Sequence, residues 1–457
     1  MSTSPIALPR SHAFVRMLLP SLGDLLLVAI VFWLFCAQPD SWSHFMGDAN
    51  TGLHIRTGDY ILAHGSVPHS DLYSFSRPDG AWFSVEWLSC VIYSALHRVW
   101  GLTAVAFLSA ILLVAWPMVQ LRDCYERGAN MLLSVVLVFA GMRAAAIHYL
   151  ARPHLFTMVC TALAAWFIAR ERRNPTRAVW MLIPFTVLWT NLHGAFVVLL
   201  AYLGLLAVGS FLEHNFTQSR RWDAMLAACC AASLINPYGI NLHLHIVSFL
   251  GSSAHMVQEY APAATFLGNG YVEVFFGLLG VAAVCSVAML LRRQFVEPLW
   301  IAFFGWLAVT SARNITVFVI IAVPIIAREV TRWLPAVSKE DNLGRSLSVV
   351  TPWGAGAACA ILLWTAPISF SPAFPAGIVQ RDATVLTGSR LFTTDHWGDY
   401  LLYRLWPRQR VFIDGRSDYY ADLGIDYLTM IETDHGWQKT FEKWGFNAAL
   451  LPSDNKL

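Results

Sequence analysis

HFMGDANTGLHIRTGDYILAHGSVPHSDLYSFS (44–76) and WFSVEWLSCVIYSALHRVWG (82–101) stand between the first apolar run of this chain and the second. Nearly every other polar stretch is a short connection between hydrophobic runs, so a segment this long, 38 to 101 in all, does more than connect. Asp48 follows the first apolar run closely and is the first candidate for catalysis. The residues after it read as a helix that ends where Gly65 and Pro68 mark a turn. A carboxylate at its start can take a proton from an attacking hydroxyl as general base, or simply cap the helix. Helical spacing puts Asp48, Gly52, Ile55 and Asp59 near one face. His54 on the same helix is a second candidate, its alternative being an interfacial histidine held by hydrogen bonds. Glu86, in VEWL, is either a second carboxylate or the anchor of a basic partner.

Composition sets the surroundings of that segment. Of 457 residues 56% are hydrophobic and 13% charged, with a mean hydropathy of +0.52, whereas a soluble domain carries roughly 25% charged residues. The chain therefore reads as a polytopic membrane protein. A net charge of +2 without a clustered basic face speaks against nucleic-acid binding. The eight cysteines show no CxxC or Cys/His ligand spacing and read as small core residues. MSTSPIALPRSHAFVRM precedes the first run with no small-residue cleavage site, which suggests a retained first helix.

Arg10 and Arg16 place the N-terminus in the cytoplasm by the positive-inside rule, and the long loop outside. RERRNPTR (170–177), HNFTQSRR (214–221), RRQ (292–294) and REVTRW with the following KED (328–341) belong inside by the same rule. Parity then requires that 83–99 does not span. It carries Glu86, His97 and Arg98 among Trp87, Tyr93 and Trp100, as an amphipathic helix at the outer interface would. The expected spans are 22–37, 102–120, 131–148, 154–169, 178–190, 195–212, 223–235, 272–291, 298–312, 315–327 and 350–367, about eleven in all. The expected fold class is an all-α polytopic membrane protein whose large outer first loop carries interfacial helices, followed by a small C-terminal α/β domain. The membrane domain is 1–368. The outer domain is 369–457, with strands at 390–394, 410–414 and 447–452 and helices at 398–406 and 437–445.

This topology collects the turns 150–154, 189–194 and 311–314, and the segment 236–271, on the same face as the loop. Charged side chains near spans face a cavity or a partner. Arg152 and Arg313 fall at outer ends, where a guanidinium can hold a lipid-linked phosphate or reach toward headgroups. Arg143 lies deeper and is expected to pair within the bundle. His154, Asn191 and His193 can bind sugar hydroxyls or a phosphate, or serve as satisfied turn residues. His243, His245 and His255 make a poor zinc signature. In RVFIDGRSDYY (410–420) the Asp-Gly pair is first of all a turn signal.

A first helix, a large outer loop with an early acid, Asp48, on a surface helix, the further interfacial helix 82–101, many spans and an outer tail together resemble the GT-C superfamily of integral membrane glycosyltransferases. That resemblance implies a polyprenyl-phosphate sugar donor and, for Asp48, the role of base or, as in some branches, of ligand to a divalent metal ion. Many members carry paired acids at this point, whereas here the run is Asp48-Ala49-Asn50. The expectation is an inverting hexosyl- or pentosyltransferase in the bacterial cytoplasmic membrane, acting on a glycan, lipid or protein acceptor. Asp48 is its base, and His54, Glu86, Arg152, His154, Asn191, His193 and Arg313 hold the substrate. A lipid or polysaccharide transporter is the first alternative, although the internal repeats expected of one are not visible. The second is a non-catalytic assembly subunit.

Overall fold

A computed structural model describes residues 19–252, 260–334, 346–367, 369–417, 419–420 and 423–457. Arg10, Arg16, His255 and the KED run at 339–341 lie outside the described residues. Apolar runs in lipid must satisfy their backbone internally, and here they fold as helices. In chain order these are α1 (Leu22–Phe35), α2 (Asn50–His64), α3 (Trp87–Glu126), α4 (Met131–Ala144), α5 (His154–Arg173), α6 (Leu182–Leu192) and α7 (Val197–Leu212). There follow α8 (Phe216–Ala232), α9 (Ile240–Ser252), α10 (Tyr271–Leu291), α11 (Val296–Thr310), α12 (Ile315–Trp333) and α13 (Pro352–Thr365). Among the described residues, five stretches are long and apolar enough to cross a membrane: Trp87–Glu126, Met131–His148, Gly194–Leu212, Tyr271–Leu291 and Ala312–Trp333. The remaining helices expected to span are shorter or carry more charge. The count of about eleven crossings is therefore still the expectation drawn from hydropathy.

α12 is the central post, buried over most of its length, whereas α10 leaves Val284, Val287 and Leu291 exposed as a lipid-facing helix would. Pro324 inside α12 has no N–H to give the carbonyl of Ile320. Gln120 of α3 supplies the missing donor, its Nε2 reaching Ile320 O at 3.0 Å and Val319 O at 2.9 Å. Beside it α1 and α13 are pinned by Asp24, which closes a capping box with Ser21 and also accepts the Thr351 N–H (2.7 Å) and hydroxyl (2.6 Å).

α3 breaks at Trp100 (φ −147°) and Gly101 (φ 61°, ψ −154°), a left-handed conformation that glycine tolerates. The 87–99 half lies along α2, where Gly58 leaves room for the Cys90 carbonyl and Ser94 Oγ donates to Asp59 Oδ1 at 2.7 Å. The 102–126 half enters the bundle. Arginines at the far ends of the helices gather on buried acids: Arg172 and Arg328 on Glu297 (2.7 and 3.4 Å), and Arg292, Arg328 and Arg332 on Glu329. The ends of α5, α10 and α12 and the start of α11 thus meet at one end of the bundle. The turns at 148–154, 193–196 and 311–314 lie at the other. Arg143 departs from expectation: it is exposed at the end of α4, donating to the Asn269 carbonyl at 3.1 Å.

The tail contains β1 (Leu391–Thr393), α14 (Asp395–Leu405), α15 (Gly424–Ile431), α16 (Trp437–Trp444) and β2 (Ala448–Leu450). Two of the three expected strands pair, in parallel, with Phe392 opposite Ala449. The third does not join that sheet, because Val411 bridges to Ser74 of the first loop. An aromatic cluster of Phe392, Phe412, Phe441 and Phe446, ring centres about 5 to 6 Å apart, packs the tail. Loop and tail are joined further by α14, whose Tyr403 carbonyl takes the Arg56 guanidinium and whose Tyr403 ring covers Gly52.

Candidate functional site

The fold encloses a cavity of about 720 Å³ between the loop, the tail and the open end of the bundle. Its polar half is lined by α2, by the segment before α3 and by the turns that precede α5, α7 and α12. Its apolar half is lined by Val198 and Ala201 of α7, Phe303, Phe304 and Leu307 of α11, and Val317 and Ile320 of α12.

Glu86 lies in the polar half, its side chain 25% exposed, with an imidazole on each oxygen. His54 Nε2 is 3.2 Å from Oε2, and His193 Nε2 is 3.1 Å from Oε1. The His193 tautomer follows from its other nitrogen. Nδ1 accepts the Ala195 N–H at 3.1 Å and faces the Thr157 hydroxyl at 3.0 Å, whose oxygen already takes the Trp189 indole N–H at 2.9 Å. The ring proton is therefore on Nε2, pointing at Glu86. His54 Nδ1 sits 3.3 Å from Cys90 Sγ. Burial works against the charge of Glu86, but His193, His54 and Arg152 outweigh it and hold the carboxyl down at about 2. Burial lowers His54 below the ordinary imidazole value, against the opposing pull of Glu86.

Asp48 is buried and is not one of the cavity's lining residues. Its Oδ1 accepts the Asn50 N–H at 2.8 Å, and its Oδ2 pairs with Arg152 Nη1 at 3.1 Å. Asp48 thus holds the start of α2 and pairs with Arg152, which lines the cavity. Arg313 lines the same cavity from the turn before α12, its guanidinium 5.0 Å from the centre of the Tyr260 ring. His154 lines it too and bonds the His148 carbonyl at 2.8 Å.

Asn191 stands apart from the other candidates. Its Oδ1 accepts the Trp87 indole N–H at 2.7 Å, and its Nδ2 donates to Val187 O at 2.7 Å and Ile235 O at 2.8 Å. Those bonds tie α6 to α3, so its amide is a brace and not a ligand group. Three contributors were not expected at the site from the sequence, His245 having been weighed only as part of a zinc signature. His245 lines the cavity stacked on Phe83, ring centres 4.5 Å apart. Arg416 lines it from the tail, pinned by Asp71 (2.7 Å) and Asp414 (2.6 Å) and packed over Tyr73 and Trp82. Asp399 meets the Gly415 N–H at 3.2 Å and the Asn50 amide at 3.5 Å. Burial first, and then Asp414 and Asp48, push its carboxyl well above the usual range, which favours the protonated form. The one available signal was an arginine set among tyrosines in DGRSDYY.

The described residues do not fit the divalent cation implied by the family resemblance. Among the described residues no three His, Cys, Asp or Glu side chains converge as ligands. Asp48 already has an oxygen on a backbone N–H and the other on a guanidinium.

No protein-family model matches the chain, and no curated protein matches it. Among solved structures, it is similar to the archaeal oligosaccharyltransferase AglB from Archaeoglobus fulgidus, determined with an inhibitory peptide and a dolichol-phosphate. The TM-score is 0.55 at 10% identity, over 94% of this chain and 69% of that one. The chain shares the overall fold of that structure. At so low an identity the likeness is one of architecture, and it spans the loop, the bundle and the tail together.

Proposed function

We propose that this chain is a membrane glycosyltransferase that moves a sugar from a polyprenyl-phosphate donor to an acceptor hydroxyl on the outer face of the bacterial cytoplasmic membrane. The observation that carries the reading is one cavity with two unlike halves: aliphatic and aromatic walls inside the bundle, and Arg152, Arg313, the acid-paired Arg416 and a fixed carboxylate at its polar end. Such a chamber suits an isoprenoid chain bearing a phosphate and a sugar, since guanidinium groups match phosphate oxygens and the apolar wall matches the chain. The GT-C-like architecture supports the same reading, as does the dolichol-phosphate in the AglB structure.

The donor phosphate sits on Arg152 and Arg313. As Arg152 turns to the phosphate it releases Oδ2 of Asp48, which then faces the acceptor hydroxyl. Asp48 takes the hydroxyl proton while the oxygen attacks the anomeric carbon. The bond from that carbon to the phosphate oxygen breaks, and polyprenyl phosphate leaves with the electron pair. A phosphate is a good leaving group and needs no acid from the protein. Attack from the opposite side inverts the anomeric centre. The acceptor is a glycan, lipid or protein hydroxyl that reaches the cavity between loop and tail.

The test is purified full-length protein in liposomes with radiolabelled polyprenyl-phosphate sugars and a membrane extract as acceptor source. Label must pass to a product no longer extractable with the donor lipid. Label that crosses the bilayer still attached to its lipid would support the transporter instead.

A further inference from the structure

We propose that Glu86, braced by His54 and His193, is the subsite that recognises the donor sugar, taking two adjacent hydroxyls of a neutral pyranose or furanose. This rests on the glycosyl-transfer reading and assigns within it the group that tells one donor from another.

The geometry starts from the carboxylate. An ionised carboxylate offers about four lone-pair positions. Here one imidazole N–H lies on each oxygen, at 3.2 and 3.1 Å, so about one position on each oxygen is left to accept another bond. The side chain is 25% exposed and lines the cavity, which puts the carboxylate within reach of a ligand bound there. Two neighbouring acceptor oxygens match the two donors of a vicinal diol. Bonds from hydroxyls to a charged acceptor are stronger than neutral ones and directional.

The brace makes the site selective. His193 cannot turn its donor away, because Ala195 N–H and Thr157 occupy its other nitrogen. His54 is backed by Cys90. The carboxylate is therefore held in one orientation before any ligand arrives, which lowers the cost of ordering on binding. The choice of a neutral sugar follows from the charges around it: Arg152, Arg313 and Arg416 line the same cavity, so a cationic group would meet guanidiniums on its way to one carboxylate, and an anionic group would meet the carboxylate itself. Asp48 and Glu86 thus divide the work, the first beside Arg152 for proton transfer, the second for hydroxyl recognition.

Glu86→Gln keeps the shape and removes one acceptor. Its carbonyl can still accept from His193, and its amide can face His54 if that ring carries its proton on Nδ1, so the fold is expected to survive. The probes are farnesyl phosphate and farnesyl phosphate esterified to mannose, glucose or arabinose, titrated into detergent-solubilised full-length protein. The wild type is expected to hold at least one sugar ester about 10-fold or more tighter than farnesyl phosphate, as a lost hydrogen bond to a charged group predicts. In Glu86→Gln that preference falls to about 2-fold or less, while affinity for farnesyl phosphate, which reports Arg152 and Arg313, changes far less. If farnesyl phosphate binds the wild type and no sugar improves it, or if the preference survives in Glu86→Gln, the subsite is wrong and the donor reading stands. If the wild type binds none of the four lipids, the donor reading falls and the subsite with it. Should Glu86→Gln lose farnesyl phosphate binding altogether, His54→Gln decides: sugar preference must fall with lipid-phosphate affinity retained, and an unchanged preference overturns the proposal.

Discussion

Replacing Asp48 by Asn changes one oxygen for an amide nitrogen in a group with two commitments. Asn has a single acceptor oxygen, so it can face the Asn50 N–H or Arg152 but not both, and its NH2 repels the guanidinium. Removing one partner of a fully buried ion pair costs about 3 to 5 kcal/mol. The Arg152 side chain is 23% exposed and borders the cavity, so it recovers much of its solvation, and about 1 to 2 kcal/mol of stability is expected to be lost. Turnover should suffer more. A positioned base contributes about 10²- to 10⁴-fold, equivalent to roughly 3 to 5 kcal/mol of barrier. Donor affinity should not weaken, because Asp48 no longer competes with the phosphate for the Arg152 guanidinium. The assay is label transfer from polyprenyl-phosphate sugar in proteoliposomes, with kcat and donor Kd measured separately and a thermal melt alongside. Equal transfer by wild type and Asp48→Asn would refute the base. A variant with unchanged kcat and weakened donor binding would reduce Asp48 to a prop for Arg152.

Three other outcomes follow from the geometry. Arg416→Ala leaves the buried carboxylates of Asp71 and Asp414 without their shared cation, a loss of about 3 to 5 kcal/mol; limited proteolysis should find the tail cleaved at temperatures where the wild type resists, and matching digestion patterns would contradict the pin. Glu86 has a folded pKa of about 2, below the roughly 4.3 of an unfolded glutamate. Its stabilising contribution is therefore full above that unfolded value and disappears as pH falls through about 2. Melts from pH 6 down to pH 2 should show the wild-type advantage over Glu86→Gln shrinking, and a constant gap would mean the imidazoles do not hold the charge. Gly58→Ala drives a methyl into the Cys90 carbonyl between α2 and the 87–99 helix; overpacking of this kind costs about 1 to 3 kcal/mol, read as a lower Tm, and a neutral result would mean that the two helices are not so closely apposed.

The sequence carried the helical elements because hydropathy and turn residues are local. The break at Trp100 and Gly101 falls between the expected 83–99 and 102–120 segments, and Arg152, His154, His193 and Arg313 drew notice as polar groups at turns between apolar runs. The same logic erred where a residue's partners are distant in sequence. Asn191 has the chemistry of a ligand group, but Trp87 and the Ile235 carbonyl use it as a brace. Arg143 was placed deep by its position in an apolar run, yet it comes at the end of α4 and reaches Asn269. The 410–414 stretch, expected as a strand, meets the first loop through the Val411–Ser74 bridge and does not join the β1–β2 sheet, since alternation of side chains does not say which edge a segment will meet.

By itself, then, the sequence determined that the chain belongs in lipid, where its helices lie, and that its polar groups concentrate in one early loop and a few turns, all consequences of the cost of burying charge and unpaired backbone. Tertiary structure alone decided that Glu86 stands between His54 and His193, that Asp48 looks to Arg152, and that Arg416 of the tail lines the same cavity. Those pairs are separated by tens to hundreds of residues, and a contact between such groups is set by how the helices pack, which no local pattern encodes.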